Sequence, residues 1–154
     1  MKPKKLRILL VEDNPEDVLI AERALKKTHL KDSSELFVVN DGQEALDFLR
    51  RQGAHADAPR PDLILLDLKL PKVSGHEVLA EIKKDENLRR IPVIVLTVSE
   101  REEDMVKAYD SGASGYITKP PSSADFAKVL ETVLDYWRIS ELPPQGSGLS
   151  AGTE

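Results

Sequence analysis

Short apolar runs and segments of helical period alternate along this chain. The runs fall at 6–11, 36–39, 62–67, 91–96 and 114–118, and the helical segments at 15–28, 42–53, 74–86, 99–112 and 122–138. Five such repeats predict βαβ units, hence a parallel sheet with helices on both faces. The first, third and fourth runs are nearly continuous in Leu, Ile and Val, as strands buried on both faces should be. Leu36-Phe37-Val38-Val39 is shorter and is placed nearer an edge.

The helical segments rest on spacing and on end signals. Phe126, Val129, Leu130, Val133, Leu134 and Trp137 form one apolar stripe at helical spacing, with Ser122 or Ser123 in position to cap it. Trp137 sits on that stripe and is placed in the core ahead of an interface. Asn14, Pro15, Glu16 and Asp17 read as a cap, a proline at the first helical position, and acids that suit the helix dipole. Gly53 and Gly112 are expected to stop the second and fourth helices in the left-handed conformation. Residues 54–61 read as a loop whose prolines, Pro59 and Pro61, force extended backbone into the third strand. The domain is expected to span 1–140. The segment 141–154, rich in Pro, Gly and Ser from Pro143 on, is expected to be a disordered tail.

Composition narrows the classes. A chain of 154 residues supports one core. With no run of 18 apolar residues, no membrane span is expected. The basic start Met1-Lys2-Pro3-Lys4-Lys5 precedes too short an apolar stretch for a signal peptide. The absence of cysteine removes disulfide and thiolate chemistry and fits a cytoplasmic protein. A net charge of −5 argues against a nucleic-acid partner.

The candidate chemistry lies where the apolar runs end. Ile8–Val11 stops at Glu12-Asp13, Leu63–Leu66 at Asp67, Ile94–Leu96 at Thr97, and Tyr116–Thr118 at Lys119-Pro120. In an open parallel sheet these carboxyl ends share the rim where ligands bind. Asp13 and Asp67 are candidate ligands for a hard cation such as Mg²⁺, with Glu12 binding directly or through water and the Lys69 carbonyl as a further oxygen. Like charges about 4 Å apart repel by roughly 4 kcal/mol at an effective dielectric near 20, so three gathered carboxylates call for a cation. Asp67 is the candidate nucleophile, able to form an acyl phosphate. Lys119 would neutralise the transferring oxygens, and the Thr97 hydroxyl would donate to one of them. A cis bond between Lys119 and Pro120 would aim the lysine inward, although few X–Pro bonds are cis.

With these residues in place the chain resembles the receiver domain of two-component response regulators. The resemblance rests on Val11-Glu12-Asp13, Asn40-Asp41-Gly42-Gln43-Glu44-Ala45-Leu46, Leu66-Asp67-Leu68-Lys69-Leu70-Pro71 with Gly75, Leu96-Thr97, Gly112-Ala113 and Tyr116-Ile117-Thr118-Lys119-Pro120. It implies a flavodoxin-like, doubly wound sheet of order 2-1-3-4-5 with five helices. It implies phosphorylation of Asp67 by a sensor histidine kinase, with Mg²⁺ at Glu12, Asp13 and Asp67. Thr97 and Tyr116 would form a switch pair, and Lys119 would meet the phosphoryl group, usually through a cis peptide to Pro120. Within the family the chain looks most like stand-alone regulators paired with bacterial and cyanobacterial phytochromes. The stretches that carry this are Asp57-Ala58-Pro59-Arg60-Pro61-Asp62-Leu63, Leu88-Arg89-Arg90-Ile91-Pro92-Val93 and Tyr109-Asp110. Lys69, Val98 and Ser99 depart from the commoner pattern and bear on the lifetime of the acyl phosphate.

In such a switch, phosphate on Asp67 draws the Thr97 hydroxyl toward it, and the Tyr116 ring moves into the space vacated. The signal would leave through a partner, by docking or by homodimerisation on the face of the fourth helix, fifth strand and fifth helix. Such a protein is a phosphoacceptor, not an enzyme, although it assists its own phosphoryl transfer and dephosphorylation. The alternative is a receiver-shaped binding module that signals without phosphorylation. A dehalogenase-type phosphohydrolase would need an acid where Lys69 stands, and a flavin carrier would need a phosphate loop where Glu12-Asp13-Asn14-Pro15 stands. His29, His55 and His76 show neither triad nor zinc spacing.

Overall fold

The structure is a computed structural model and describes residues 5–143. The strands are β1 (Leu6–Val11), β2 (Ser34–Val39), β3 (Leu63–Leu66), β4 (Val93–Thr97) and β5 (Gly115–Thr118). The helices are α1 (Pro15–Leu25), α2 (Thr28–Lys31), α3 (Gly42–Arg50), α4 (Gly75–Lys84), α5 (Glu102–Asp110) and α6 (Ser123–Ile139). All strand pairs are parallel, in the order β2-β1-β3-β4-β5. The five long helices match the five expected from periodicity. The single turn α2 and a 3-10 turn at Gly53–His55 are additions. They are too short to carry a period.

Alternation along the strands builds two apolar layers. Leu9, Val11, Ile64, Leu66, Val93 and Val95 face α3, α4 and α5. Ile8, Leu10, Leu63, Leu65, Ile94 and Leu96 face α1 and α6. The central strands are thus covered on both sides, which is why their sequences are nearly continuous in Leu, Ile and Val, with Arg7 near the start of β1 and Thr97 at the end of β4 as the exceptions. β2 lies at the sheet edge, as its shorter run suggests. Trp137 packs against the α1/α6 layer, as does Leu142 just beyond α6. Residues 144–154, most of the expected tail, lie outside the described residues.

The expected caps form at three helix ends. Asn14 accepts from the Glu16 amide with Pro15 at the first helical position, and Ser122 accepts from the Asp125 amide. Gly112, at φ 104°, follows α5 in the left-handed region. The stop expected at Gly53 lies instead at Arg51, which takes φ 56° and closes α3 with amide bonds to the Asp47 and Phe48 carbonyls. Burial of Phe48 and Leu49 fixes the last turn two residues before the glycine. Gly53, at φ 59°, opens the 3-10 turn, which runs on into the segment read as loop. Among the described residues no helix is long and apolar enough to cross a membrane.

Candidate functional site

The carboxyl ends of β1, β3, β4 and β5 meet on one rim, and the register explains how. Val11 pairs with Leu66, Leu66 with Val95, and Thr97 with Thr118. The residues that follow these positions are Glu12, Asp67 and Lys119. The Glu12 amide bonds to the Val39 carbonyl, the Asp67 amide to the Val11 carbonyl, and the Lys119 amide to the Thr97 carbonyl at 2.7 Å. Each of these candidate side chains therefore leaves from backbone still held by the sheet. Asn40 Nδ2 donates to the Glu12 carbonyl at 3.1 Å and pins the end of β1 to the end of β2.

Glu12, Asp13 and Asp67 each offer a carboxylate oxygen within 4.8 Å of the others. Glu12 and Asp67 are buried and Asp13 is exposed. The Lys119 ammonium lies 2.6 Å from Glu12 Oε1, 2.8 Å from Asp17 Oδ2 and 3.2 Å from Asp67 Oδ2. Burial pushes the Glu12 carboxyl up to about 7; the Lys119 hydrogen bond opposes the rise and the Asp67 charge adds to it. Burial alone would lower the Lys119 ammonium. Hydrogen bonds to Asp17 and Glu12, with the charge of Asp67, override it and hold the group above an ordinary lysine. Three carboxylates around one ammonium, with Asp13 beside two of them, leave an excess of acidic oxygen donors, three of them clustered. That donor set fits a hard divalent cation.

The loop after β3 comes close to α4. A Cβ on Gly75 would lie 2.2 Å from the Asp67 carbonyl oxygen, so only glycine permits this approach. The Lys69 amide donates to Asp67 Oδ1 at 3.3 Å, while the Lys69 side chain is exposed.

Thr97 is fully buried, and its Oγ1 accepts from the Ser99 amide at 3.3 Å. The Tyr116 hydroxyl donates to the Ser99 carbonyl at 3.0 Å. Burial raises the Tyr116 phenol, and the bond at Ser99 opposes the rise. The Ser99 hydroxyl donates to Asp104 Oδ2 at 2.6 Å, and His76 Nε2 lies 3.2 Å from Asp104 Oδ1. Val98 is 60% exposed beside the site. His55 pairs with Glu44 at 3.1 Å.

The structure therefore brings together Glu12, Asp13, Asp67 and Lys119; Thr97 is joined to them through its carbonyl, which accepts from the Lys119 amide, and Tyr116 is linked to Thr97 through Ser99. The cis peptide expected before Pro120 is absent: no peptide among the described residues is cis. The trans form is the intrinsically preferred one, and the three carboxylates draw Lys119 inward without it. Sequence reading missed Asp17, taken only as a helix-start acid, and Asp104, which carried no motif. A partial signal existed for Asp17, because it lies one turn past Asp13 at the start of a capped helix.

The family model for the response regulator receiver domain matches residues 8–131. This chain belongs to the response regulator receiver family. The receiver is 43% identical over 130 residues to response regulator Rcp1 of Synechocystis sp., covering 84% of this chain and 87% of Rcp1. It superposes on the phosphorylated cyanobacterial phytochrome response regulator RcpA with a TM-score of 0.86 and 42% identity, covering 91% of this chain and 99% of that one. The Mn²⁺-bound form of Rcp1 gives a TM-score of 0.85 and 42% identity, covering 92% of this chain and all of that one.

Proposed function

We propose that a sensor histidine kinase transfers a phosphoryl group to Asp67 of this receiver. The observation that carries this reading is the placement of Asp67. It is buried, 3.2 Å from the Lys119 ammonium, and clustered with Glu12 and Asp13. In the transfer an Asp67 carboxylate oxygen bonds to phosphorus as the N–P bond of the donor phosphohistidine breaks. The imidazole keeps the bonding pair and takes a proton from water. The chain is then a phosphoacceptor that assists its own phosphorylation and hydrolysis, not an enzyme acting on a separate substrate.

Glu12, Asp13, Asp67 and the Lys69 carbonyl are the groups we assign to Mg²⁺, and the Mn²⁺-bound relative supports a divalent ion there. Bound there, the cation would neutralise the transferring oxygens. Lys119 supplies positive charge from the opposite side as a point charge. The Lys69 amide, already 3.3 Å from Asp67 Oδ1, and the Thr97 hydroxyl are the donors for the remaining oxygens.

Thr97 and Tyr116 act as the switch. When the Thr97 hydroxyl turns to the phosphoryl group it releases the Ser99 amide, and the Ser99 carbonyl is the anchor of Tyr116. Phosphate thereby biases two arrangements of the loop between β4 and α5. The face formed by α5, β5 and α6 would carry the output, to a downstream protein or a second copy. Met105, Val106 and Tyr109 are exposed on α5. Likeness to RcpA supports a phytochrome-type kinase as the donor, with both partners in the cytoplasm.

The test is a phosphate-affinity gel of wild type and Asp67→Asn after incubation with acetyl phosphate, with and without Mg²⁺, and then with a purified histidine kinase. A base-labile shifted band that needs both Asp67 and Mg²⁺ is expected. No band with either donor would leave a receiver-shaped binding module that signals without phosphate.

A further inference from the structure

Lys119 has three ammonium N–H donors, and each has its own carboxylate: Glu12 at the end of β1, Asp67 at the end of β3, and Asp17 in the first turn of α1. Two of these carboxylates belong to the acidic cluster and one does not. A cation in that cluster would draw Glu12 and Asp67 toward itself and away from the ammonium. Asp17 would then be the one partner of the present three left to hold Lys119. Its carboxylate is 18% exposed and its bond to Nζ, at 2.8 Å, is shorter than that of Asp67. It is also set on a rigid frame, because Asn14 caps α1 and Pro15 fixes its first turn.

We infer that Asp17 is a positioning residue that tethers the Lys119 ammonium beside Asp67 once the cluster has turned to its cation. This rests on the phosphoacceptor reading above and deepens it. Without the tether a long, flexible lysine stem would have to find the phosphoryl oxygens from many rotamers, and the ordering would be lost from the transfer step. Glu16, one residue earlier in the same turn, is exposed and provides a control, since it carries the same charge and has no bond to Lys119.

Two readouts test this. The first is the ¹H–¹⁵N NMR signal of the Lys119 ammonium, assigned by its loss in Lys119→Met, in protein saturated with Mg²⁺ alone. The tether predicts a signal that persists in wild type and Glu16→Gln, broadens away in Asp17→Asn, and returns in Asp17→Glu. The second is the rate of phosphorylation by acetyl phosphate at saturating Mg²⁺. The rate should fall about tenfold in Asp17→Asn, recover in Asp17→Glu, and show no further fall when Asp17→Asn is added to Lys119→Met. A Mg²⁺-saturated signal absent from wild type, or retained in Asp17→Asn, would overturn the tether. An equal fall from Asp17→Asn with and without Lys119 would overturn it as well. If the NMR pattern holds but wild type takes no phosphate from acetyl phosphate or a kinase, the tether stands and the phosphoacceptor reading fails.

Discussion

The Tyr116 hydroxyl donates to the Ser99 carbonyl at 3.0 Å and joins β5 to the loop leaving β4. Ser99 is the junction of that loop: its amide meets Thr97, its hydroxyl Asp104, and Asp104 in turn holds His76 of α4. Its hydrogen bonds to Ser99 and His76 keep the Asp104 carboxyl below the ordinary carboxylate range. Thr97 and Tyr116 are thus tied to two helices through one serine.

Loss of the Asp104 carboxylate should loosen this junction. Asp104→Ala is expected to cost about 1–2 kcal/mol, because the buried Ser99 hydroxyl loses its acceptor. Urea unfolding measures the cost. A companion NMR measurement should show greater Tyr116 ring mobility, and unchanged ring dynamics would argue that Ser99 holds its place without Asp104.

Burial holds Glu12 near 7 in place of the ordinary 4.5, so the fold favours its protonated form. Its contribution to stability is present below about pH 4.5 and is lost as pH rises through about 7. A divalent cation takes the carboxylate, so binding must expel that proton. Mg²⁺ affinity is expected to rise several-fold between about pH 6 and pH 8. Calorimetry in buffers of different ionisation enthalpy should detect proton release on the acid side of 7. A flat profile with no proton release would place Glu12 outside the cation site.

Asp13 separates binding from stability. It is exposed, so Asp13→Asn should change unfolding free energy by no more than about 0.5 kcal/mol. Removing one of three carboxylates should weaken Mg²⁺ by about tenfold or more. Calorimetry and thermal melting on the same sample decide it, and unchanged affinity would remove Asp13 from the ligand set.

Gly75→Ala should damage stability and site together. The added Cβ would lie 2.2 Å from the Asp67 carbonyl oxygen and 2.5 Å from the Leu68 Cα, both backbone atoms that cannot swing aside. The expected loss is about 2–3 kcal/mol with weaker cation binding. A melting temperature equal to wild type would show that α4 can move away at no cost.

Much of this was legible along the chain, and particular residues show why. Leu63-Ile64-Leu65-Leu66 could be placed as a buried central strand because a strand covered on both faces admits no polar residue. Asp67, Glu12 and Lys119 could be singled out because each ends such a run, and parallel strands bring those ends to one rim. Gly53 misled because the residue that ends α3 is chosen by where Phe48 and Leu49 become buried, and Arg51 accepted the left-handed conformation there. The cis peptide to Pro120 came only with the family resemblance and is absent; the pull on Lys119 comes from carboxylates distant in sequence.

The sequence by itself determined the alternation of strand and helix, the burial of the central strands, and the set of acids, hydroxyl and ammonium at the strand ends. Hydrophobic period and chain order are local properties, and they suffice for that. Only the tertiary structure decided that Asp17 shares Lys119 with Glu12 and Asp67, and that Ser99 joins Thr97, Tyr116 and Asp104. Lys119 and Asp17 stand 102 positions apart. Their contact depends on how α1 is set against the sheet by its packing on α6, a sum of many weak side-chain contacts that no single stretch of sequence contains.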